Sequence, residues 1–484
     1  MVQLDASSTP VVLDDGTVLQ APGLLGEARN GALPGQLAEA LARADMVPAQ
    51  TVEIEAQEVA GAFGDDVRAD DGRAGLALEV PALGPGRGQV LLLADEQGVL
   101  TWHFPEPPAG GPGATRGAGE VLRFTVPREV APPATTGIDP ADRSLITAIG
   151  KKILSVLVYP IIDPLIGRAA REIAAAWERR ARPYRFRGFP PGDHRRRDVP
   201  ELTSADWERL SGGRALLFLH GIFSTSAGSF GGLDDATLEQ LHRAYGGRVL
   251  AFDHPTTSVD PEQNAQIFAQ SLPSGTTLDL DVVCHSRGGL VARVIAGETG
   301  SPVPGVTVRR IVFVGTPNNG TPLADRRYLV DLVNRWTALL NLVPPGPWSM
   351  VTDVMDAVLE IVKVVGSGAA GGLPGLMSMY EDSEFMRTLN AANGAAPEYY
   401  ALHANFEPQG SLASMMWLPD TLIDRVFANA ANDVAVPCAG VGLLDGVSVP
   451  AAQALELHAT DRVWHCSYFA HPSTRRALLD WLAG

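Results

Sequence analysis

Between Leu280 and Ile295 an apolar run, a six-residue turn and a helix-forming run follow one another without a spacer. Leu280-Asp281-Val282-Val283 reads as a strand and Leu290-Val291-Ala292-Arg293-Val294-Ile295 as a helix. Cys284-His285-Ser286-Arg287-Gly288-Gly289 must reverse the chain between them. A strand, a sharp turn with a central serine and a helix force that serine into a strained backbone, with its hydroxyl exposed at the edge of a sheet. The residues two before and two after the serine must be small, because the strand and helix backbones pass close there. Gly288 meets that need. Cys284 stands where such turns usually carry glycine, and it is small enough to fit.

The surrounding chain supplies a sheet for this turn. Short apolar runs recur at Ala215–Leu219, Arg248–Phe252, Leu278–Val283, Arg309–Val314 and Tyr399–His403, and helix-like segments separate the first four. Apolar strands alternating with helices predict a mostly parallel sheet with helices on both faces. Between the fourth and fifth runs lies an insert, about 323–397. It holds two unusually apolar helical patterns, Tyr328–Val343 and Val351–Val365, followed by the glycine-rich stretch Gly366–Gly375. An insert leaving from the edge that carries the serine reads as a helical lid.

Residues 1–130 read instead as a small β-rich, sandwich-like accessory domain. Its candidate strands are Thr51–Ile54, Leu76–Val80, Val90–Ala94, Val99–Phe104 and Val121–Val126, with a hairpin turn at Asp95-Glu96-Gln97-Gly98. Residues 131–210 read as a linker at Pro132–Gly137, a helical region from Ser144 to Arg182 and a loop from Arg187 to Asp198. Within them the apolar stretch Ile153–Ile166 is too short, and too interrupted by Pro160, Asp163 and Pro164, to span a bilayer. A buried helix is the expectation, and no transmembrane segment is predicted. Residues 211–484 form the expected catalytic domain.

Composition narrows the function. The formal net charge of -17 argues against a nucleic-acid partner, and the basic cluster from Arg179 to Arg197 reads as a helix end and linker. Cys284, Cys438 and Cys466 are odd in number and show neither metal-knuckle nor redox-pair spacing. No metal site and no cofactor are expected. Reduced thiols and the lack of a basic-then-apolar leader point to a cytoplasmic protein.

A serine hydroxyl is a weak nucleophile. It needs a base, an acid that orients the base, and donors for the developing oxyanion. The base belongs in a loop before the last helix. His465 lies far enough ahead of that helix to reach back, whereas His471 sits at its start as a cap, and His458 is a third candidate. In the α/β-hydrolases whose nucleophile turn Cys284–Gly289 resembles, the acid lies between serine and histidine in the chain; Asp433, in Asn432-Asp433-Val434, fits, with Asp420, Asp424 and Asp461 as alternatives. One oxyanion donor is the amide of Arg287, at the positive end of its helix. The second comes from the loop Leu219-His220-Gly221-Ile222-Phe223, where Gly221 allows the tight turn and either Ile222 or Phe223 donates. His220 supports that loop. His285 is too close to the nucleophile to take its proton.

These segments together resemble the bacterial lipase and esterase branch of the α/β-hydrolase superfamily. The likeness rests on Phe218-Leu219-His220-Gly221, on Cys284 to Gly289, on Val314-Gly315-Thr316-Pro317-Asn318-Asn319-Gly320-Thr321-Pro322, on Ser383 to Asn390, and on Asn432-Asp433. It spans about 215–484. It implies an α/β-hydrolase fold with a lid and carboxylic-ester hydrolysis through an acyl-serine, with Ser286, Asp433 and His465 as the triad. An ester or acyl-lipid small molecule is the implied substrate. An acyltransferase, a thioesterase or an amidase would use the same residues, and a non-catalytic scaffold would keep the fold alone. Some relatives bind a structural calcium, but no matching ligand set is present. The resemblance does not extend to the first 200 residues; an accessory module that docks substrate or another protein is the expectation for them.

Overall fold

The computed structural model describes residues 1–59 and 76–94 apart from short gaps, and 100–106, 120–126, 146–160, 168–300, 302–324, 373–391, 397–407, 430–444 and 447–484, together with single helical positions between 333 and 365. The central element is a seven-stranded sheet. Its strands are β1 (Arg185–Gly188), β2 (Arg214–Leu219), β3 (Val249–Asp253), β4 (Leu278–His285), β5 (Val306–Val314), β6 (Glu398–Ala404) and β7 (Ala454–Leu457). In space they run β1-β3-β2-β4-β5-β6-β7. β1 pairs antiparallel with β3, and every other pairing is parallel.

The strands are apolar on both faces because helices cover both. Leu217, Leu219, Phe252, Val282 and Cys284 point to one side, where they pack on Phe268 of α3 (Pro261–Gln270) and Leu290 of α4 (Gly288–Ile295). Leu216, Phe218, Ala251, Val283 and Leu402 point to the other, against Leu238 and Leu241 of α2 (Asp235–Ala244) and Leu478 of α5 (Pro472–Leu482). The helix starts are written locally. Asp234 and Asp260 accept from the amides of Thr237 and Gln263, and Pro261 stands in the first helical turn, where its missing N–H is not needed.

Two strands of this sheet had no signal of their own. β1 is four residues long and lies in the segment expected to be loop and linker, so the sheet begins well before residue 211. β7 is equally short and half-exposed. Between the seven strands and the chain start, one expectation fails outright. Ile146–Pro160 is a strand and not a helix. It pairs antiparallel on one side with Val47–Val59 and on the other with Arg87–Ala94. An apolar run buried on both faces has no period that distinguishes strand from helix, and here partners on both edges decide. Among the described residues, the helix of that region is α1 (Arg168–Ala181).

The N-terminal residues form two antiparallel sheets. One has six strands, in the order Val2–Asp5, Leu24–Asn30, Val47–Val59, Ile146–Pro160, Arg87–Ala94 and Leu100–His103. The other has four, in the order Val11–Val12, Val18–Gln20, Leu76–Pro81 and Val121–Val126. They share a core of Leu4, Leu19, Ile54, Leu78, Phe124 and Leu154. The turn at 95–98 and the linker at 132–137 lie outside the described residues, as do most of 325–372 and of both apolar helical patterns there. The opposite face of the six-stranded sheet carries Val90, Leu92, Trp102 and Leu157, which join a cluster with Val333 and Val358 of the insert. There Trp102 Nε1 donates to Thr337 Oγ1 at 2.9 Å, its backbone N–H donates to Asn334 Oδ1 at 2.6 Å, and Lys363 Nζ donates to the Ala44 carbonyl at 3.0 Å.

Candidate active site

Ser286 follows the end of β4 with φ +52°, in the left-handed region that only a constrained turn imposes on a residue with a side chain. Its N–H donates to the Val314 carbonyl at 2.9 Å, and its own carbonyl accepts from Gly289 at 3.0 Å. The close approach at the turn is visible at Gly288: a Cβ there would lie 2.3 Å from the Leu219 carbonyl oxygen and 2.6 Å from that of His220. Cys284 fills the corresponding place on the strand side. Its thiol donates to the Val312 carbonyl at 3.2 Å, and burial pushes its ionisation far up, so it is an inert packing group.

His465 and Asp433 meet in the loops beyond β6 and β7. His465 Nδ1 lies 2.7 Å from Asp433 Oδ2, and both side chains are buried. Burial pushes the Asp433 carboxyl up, but the facing His465 charge and hydrogen bonds from His465, Tyr468 and the Val436 amide outweigh it and hold the group below the ordinary carboxylate value. An ionised carboxylate only accepts, so Nδ1 carries the ring proton and Nε2 is left as the basic nitrogen. The second carboxylate oxygen accepts from Ala435 N at 3.0 Å and Val436 N at 2.8 Å. Val434, between them, has φ +83°, a strained conformation for a β-branched residue.

Ser286 and His465 line one small apolar cavity with Ile222, Phe223, Ala435 and Val436. Leu323 and Ala324 from the start of the insert, and Leu376 and Met379 from near its end, line it too. Ser286 is only 3% exposed. The early loop crosses directly over the serine: a Cβ on Gly221 would lie 2.7 Å from Ser286 Cβ. His220 Nδ1 donates to the Gly221 carbonyl at 3.0 Å, while its Nε2 accepts from His254 N at 3.1 Å, which fixes its tautomer. Phe223 has φ +59°, and its N–H donates to Thr256 Oγ1 at 3.2 Å. No partner among the described residues takes the amides of Ile222 or Arg287. The Arg287 side chain turns away from the cavity and donates to the Gly375 carbonyl at 3.0 Å and Asn264 Oδ1 at 3.0 Å. Burial pulls its guanidinium down to about 10, still charged at neutral pH.

The other candidates fall elsewhere. His471 caps α5, accepting from Ser473 N, and His458 is exposed at the start of a short 3-10 turn that Asp461 closes. Asp420 and Asp424 lie outside the described residues. Three neighbours of the site escaped the sequence reading or were set aside by it. Tyr468 donates to Asp433 Oδ2 at 2.8 Å; it lies three residues after His465, and that proximity was its only signal. His285 donates from Nε2 to the His465 carbonyl at 2.7 Å and pairs its Nδ1 with Ser229 Oγ at 3.3 Å, so it braces the backbone of the other histidine. Glu178, far upstream on α1, reaches the loop after β3. Among the described residues no group of His, Cys, Asp and Glu is arranged to hold a metal ion, and no helix is long and apolar enough to cross a membrane.

A mostly parallel sheet covered on both faces, with a strained serine between its central strand and the following helix, defines an α/β protein of the hydrolase type. Residues 181–483 match the profile of a family described as a domain of unknown function, DUF7379, and the chain belongs to that family. No curated protein matches the sequence. Faint similarities to solved structures exist. Lipase 1 from Pelosinus fermentans is 13% identical, with 56% of this chain and 97% of that one covered and a TM-score of 0.36. A hydrolase from Pseudomonas aeruginosa PA01 is 15% identical, with 56% and 90% covered and a TM-score of 0.33. An α/β-hydrolase fold protein from Burkholderia ambifaria is 12% identical, with 56% and 91% covered and a TM-score of 0.31. Scores this low add nothing to the strand order, which stands by itself.

Proposed function

We propose that the protein is a serine hydrolase that cleaves carboxylic esters through an acyl-serine intermediate. The observation that carries this reading is the shared cavity: a strained serine and a histidine tethered by a buried carboxylate open on the same apolar space. In the reaction, His465 Nε2 takes the Ser286 proton as Oγ bonds to the ester carbonyl carbon. The carbonyl π electrons move to oxygen, and the amides of Ile222 and Arg287 receive the charge. We assign Ile222 and not Phe223 because the Phe223 amide is already committed to Thr256. The tetrahedral species then collapses, the C–O bond to the alcohol breaks, and the leaving oxygen takes the proton from His465. Water repeats the sequence on the acyl-serine. Asp433 keeps its charge and stabilises the imidazolium.

The apolar lining favours the acyl side of a substrate over a charged one. Both ends of the insert border the cavity, so a helical lid at 323–397 remains our reading of that segment. The test is covalent labelling with a fluorophosphonate probe, followed by turnover of p-nitrophenyl esters of rising acyl length. Label that maps to Ser286 and disappears in Ser286→Ala supports the proposal. Folded protein that takes up no label and turns over no ester removes it. Rates independent of chain length and detergent would remove the lid.

A further inference from the structure

We infer that Glu178 is a positioning residue for the oxyanion pocket, acting through Thr256 on the backbone of Phe223; the inference rests on the hydrolase reading above. Glu178 lies on α1, before the segment that matches the family, and is fully buried. Its two carboxyl oxygens accept from three consecutive residues of the loop after β3. Oε1 takes Thr256 N at 2.6 Å, Thr256 Oγ1 at 3.3 Å and Thr257 N at 2.8 Å. Oε2 takes Ser258 N at 2.9 Å and the Ser258 hydroxyl. Every contact is a donor pointing inward, which only an acceptor-only group satisfies at both oxygens.

The consequence reaches the serine in two steps. With its proton given to Glu178, Thr256 Oγ1 presents a lone pair to the Phe223 N–H at 3.2 Å. Arg182, immediately after α1, donates from Nη2 to the Phe223 carbonyl at 2.8 Å. Phe223 is therefore gripped at both its amide and its carbonyl, in the left-handed conformation that the loop needs to cross Ser286. The neighbouring peptide is held by His220, which binds the Gly221 carbonyl. Carbonyl and N–H point in opposite directions across a trans peptide, so that contact aims the Ile222 N–H away from His220. Three successive peptide planes are thus set by hydrogen bonds, two of them through Glu178 on α1 and Arg182 just after it. Preset donors need no rearrangement when charge develops, and that is what makes them effective.

Thr256→Val, Thr256→Ser and Glu178→Gln in the full chain test this, with kcat, KM and amide exchange of residues 219–225 as readouts. Thr256→Val should lower kcat about 10- to 100-fold with KM changed by less than about twofold, the signature of a lost transition-state interaction. Thr256→Ser keeps the hydroxyl and should restore kcat. Glu178→Gln should fall with Thr256→Val, and the double variant should be no slower than the worse single one, because both act along one path. Exchange of 219–225 should quicken in Thr256→Val and stay slow in Thr256→Ser. Equal losses in the Val and Ser variants, or unchanged kcat in Thr256→Val, overturn the inference. Wild-type protein without label or turnover overturns the hydrolase reading instead, and exchange unaltered by Thr256→Val then overturns the grip on Phe223 as well.

Discussion

Asp433 and His465 are joined twice. The ring Nδ1 donates to the carboxylate at 2.7 Å, and the His465 backbone N–H donates to the Asp433 carbonyl at 3.0 Å. The side-chain contact sets the tautomer, and the backbone contact ties together two loops that are far apart in the chain. Replacing the carboxylate alone therefore separates chemistry from architecture. Asp433→Asn should leave the backbone tie in place but present an amide to Nδ1, favouring the wrong tautomer. A loss of kcat of roughly 10⁴-fold is expected, with near-native circular dichroism. Rates of p-nitrophenyl ester hydrolysis within tenfold of wild type would argue against Asp433 as the acid.

Tyr468 serves two masters. Its hydroxyl donates to Asp433 Oδ2 at 2.8 Å and accepts from Ala404 N at 3.0 Å. Tyr468→Phe strips one donor from the carboxylate and leaves a buried amide unpaired. The variant should lose about 1–3 kcal/mol of stability in urea unfolding. Its kcat should fall by about tenfold at most, since His465 and the amides of Ala435 and Val436 still hold Asp433.

Gly315, after β5, has φ +57° and faces Asp433, His465 and Tyr468. A Cβ there would stand 2.9 Å from Tyr468 Cε2, 3.0 Å from Asp433 Oδ2 and 3.3 Å from His465 Nδ1. Gly315→Ala should displace the acid and base by a fraction of an ångström. A kcat loss of about 10²-fold is expected for such a shift, together with about 1 kcal/mol of destabilisation from the left-handed backbone. Fluorophosphonate labelling at an unchanged rate would contradict the contact.

Acid should weaken the fold before it reaches the carboxylates. Burial, reinforced by the nearby His465 charge, pulls His285 down from 6.5 to about 3, and burial pulls His220 from 6.5 to about 4. Below pH 6.5 the unfolded chain takes up protons at these sites while the folded one does not. Stability is therefore complete above about 6.5 and is lost progressively as pH falls toward 3–4. Between pH 7 and 5 each ring should remove on the order of 1–2 kcal/mol, read as a falling urea midpoint. A midpoint that stays flat across that window would mean that the two rings are protonated in the native state.

The site was legible where chemistry is encoded locally. A small residue on each side of a serine, between an apolar run and a helix, is a statement about backbone clearance, and the distances at Gly288 bear the reason out. The runs that became β2 to β6 were visible because burial on both faces demands unbroken apolar sequence. The strand at Ile146–Pro160 was not, because such a run fits a buried helix equally well until edge partners are known. β1 was hidden for the opposite reason: it is short, carries Arg185 and Arg187, and draws its pairing from β3.

By itself the sequence determined the strained turn around Ser286, the alternation that builds a parallel sheet, and the chain order of serine, acid and base candidates. All of these follow from sterics and burial within a few neighbouring residues. The tertiary structure decided which histidine reaches Asp433, which loop amide stays uncommitted, and that Glu178, at a distance in sequence from every motif, underpins the loop over the serine. Those outcomes depend on hydrogen bonds between segments 30 to 80 residues apart, and such partners are chosen by packing, which no local pattern records.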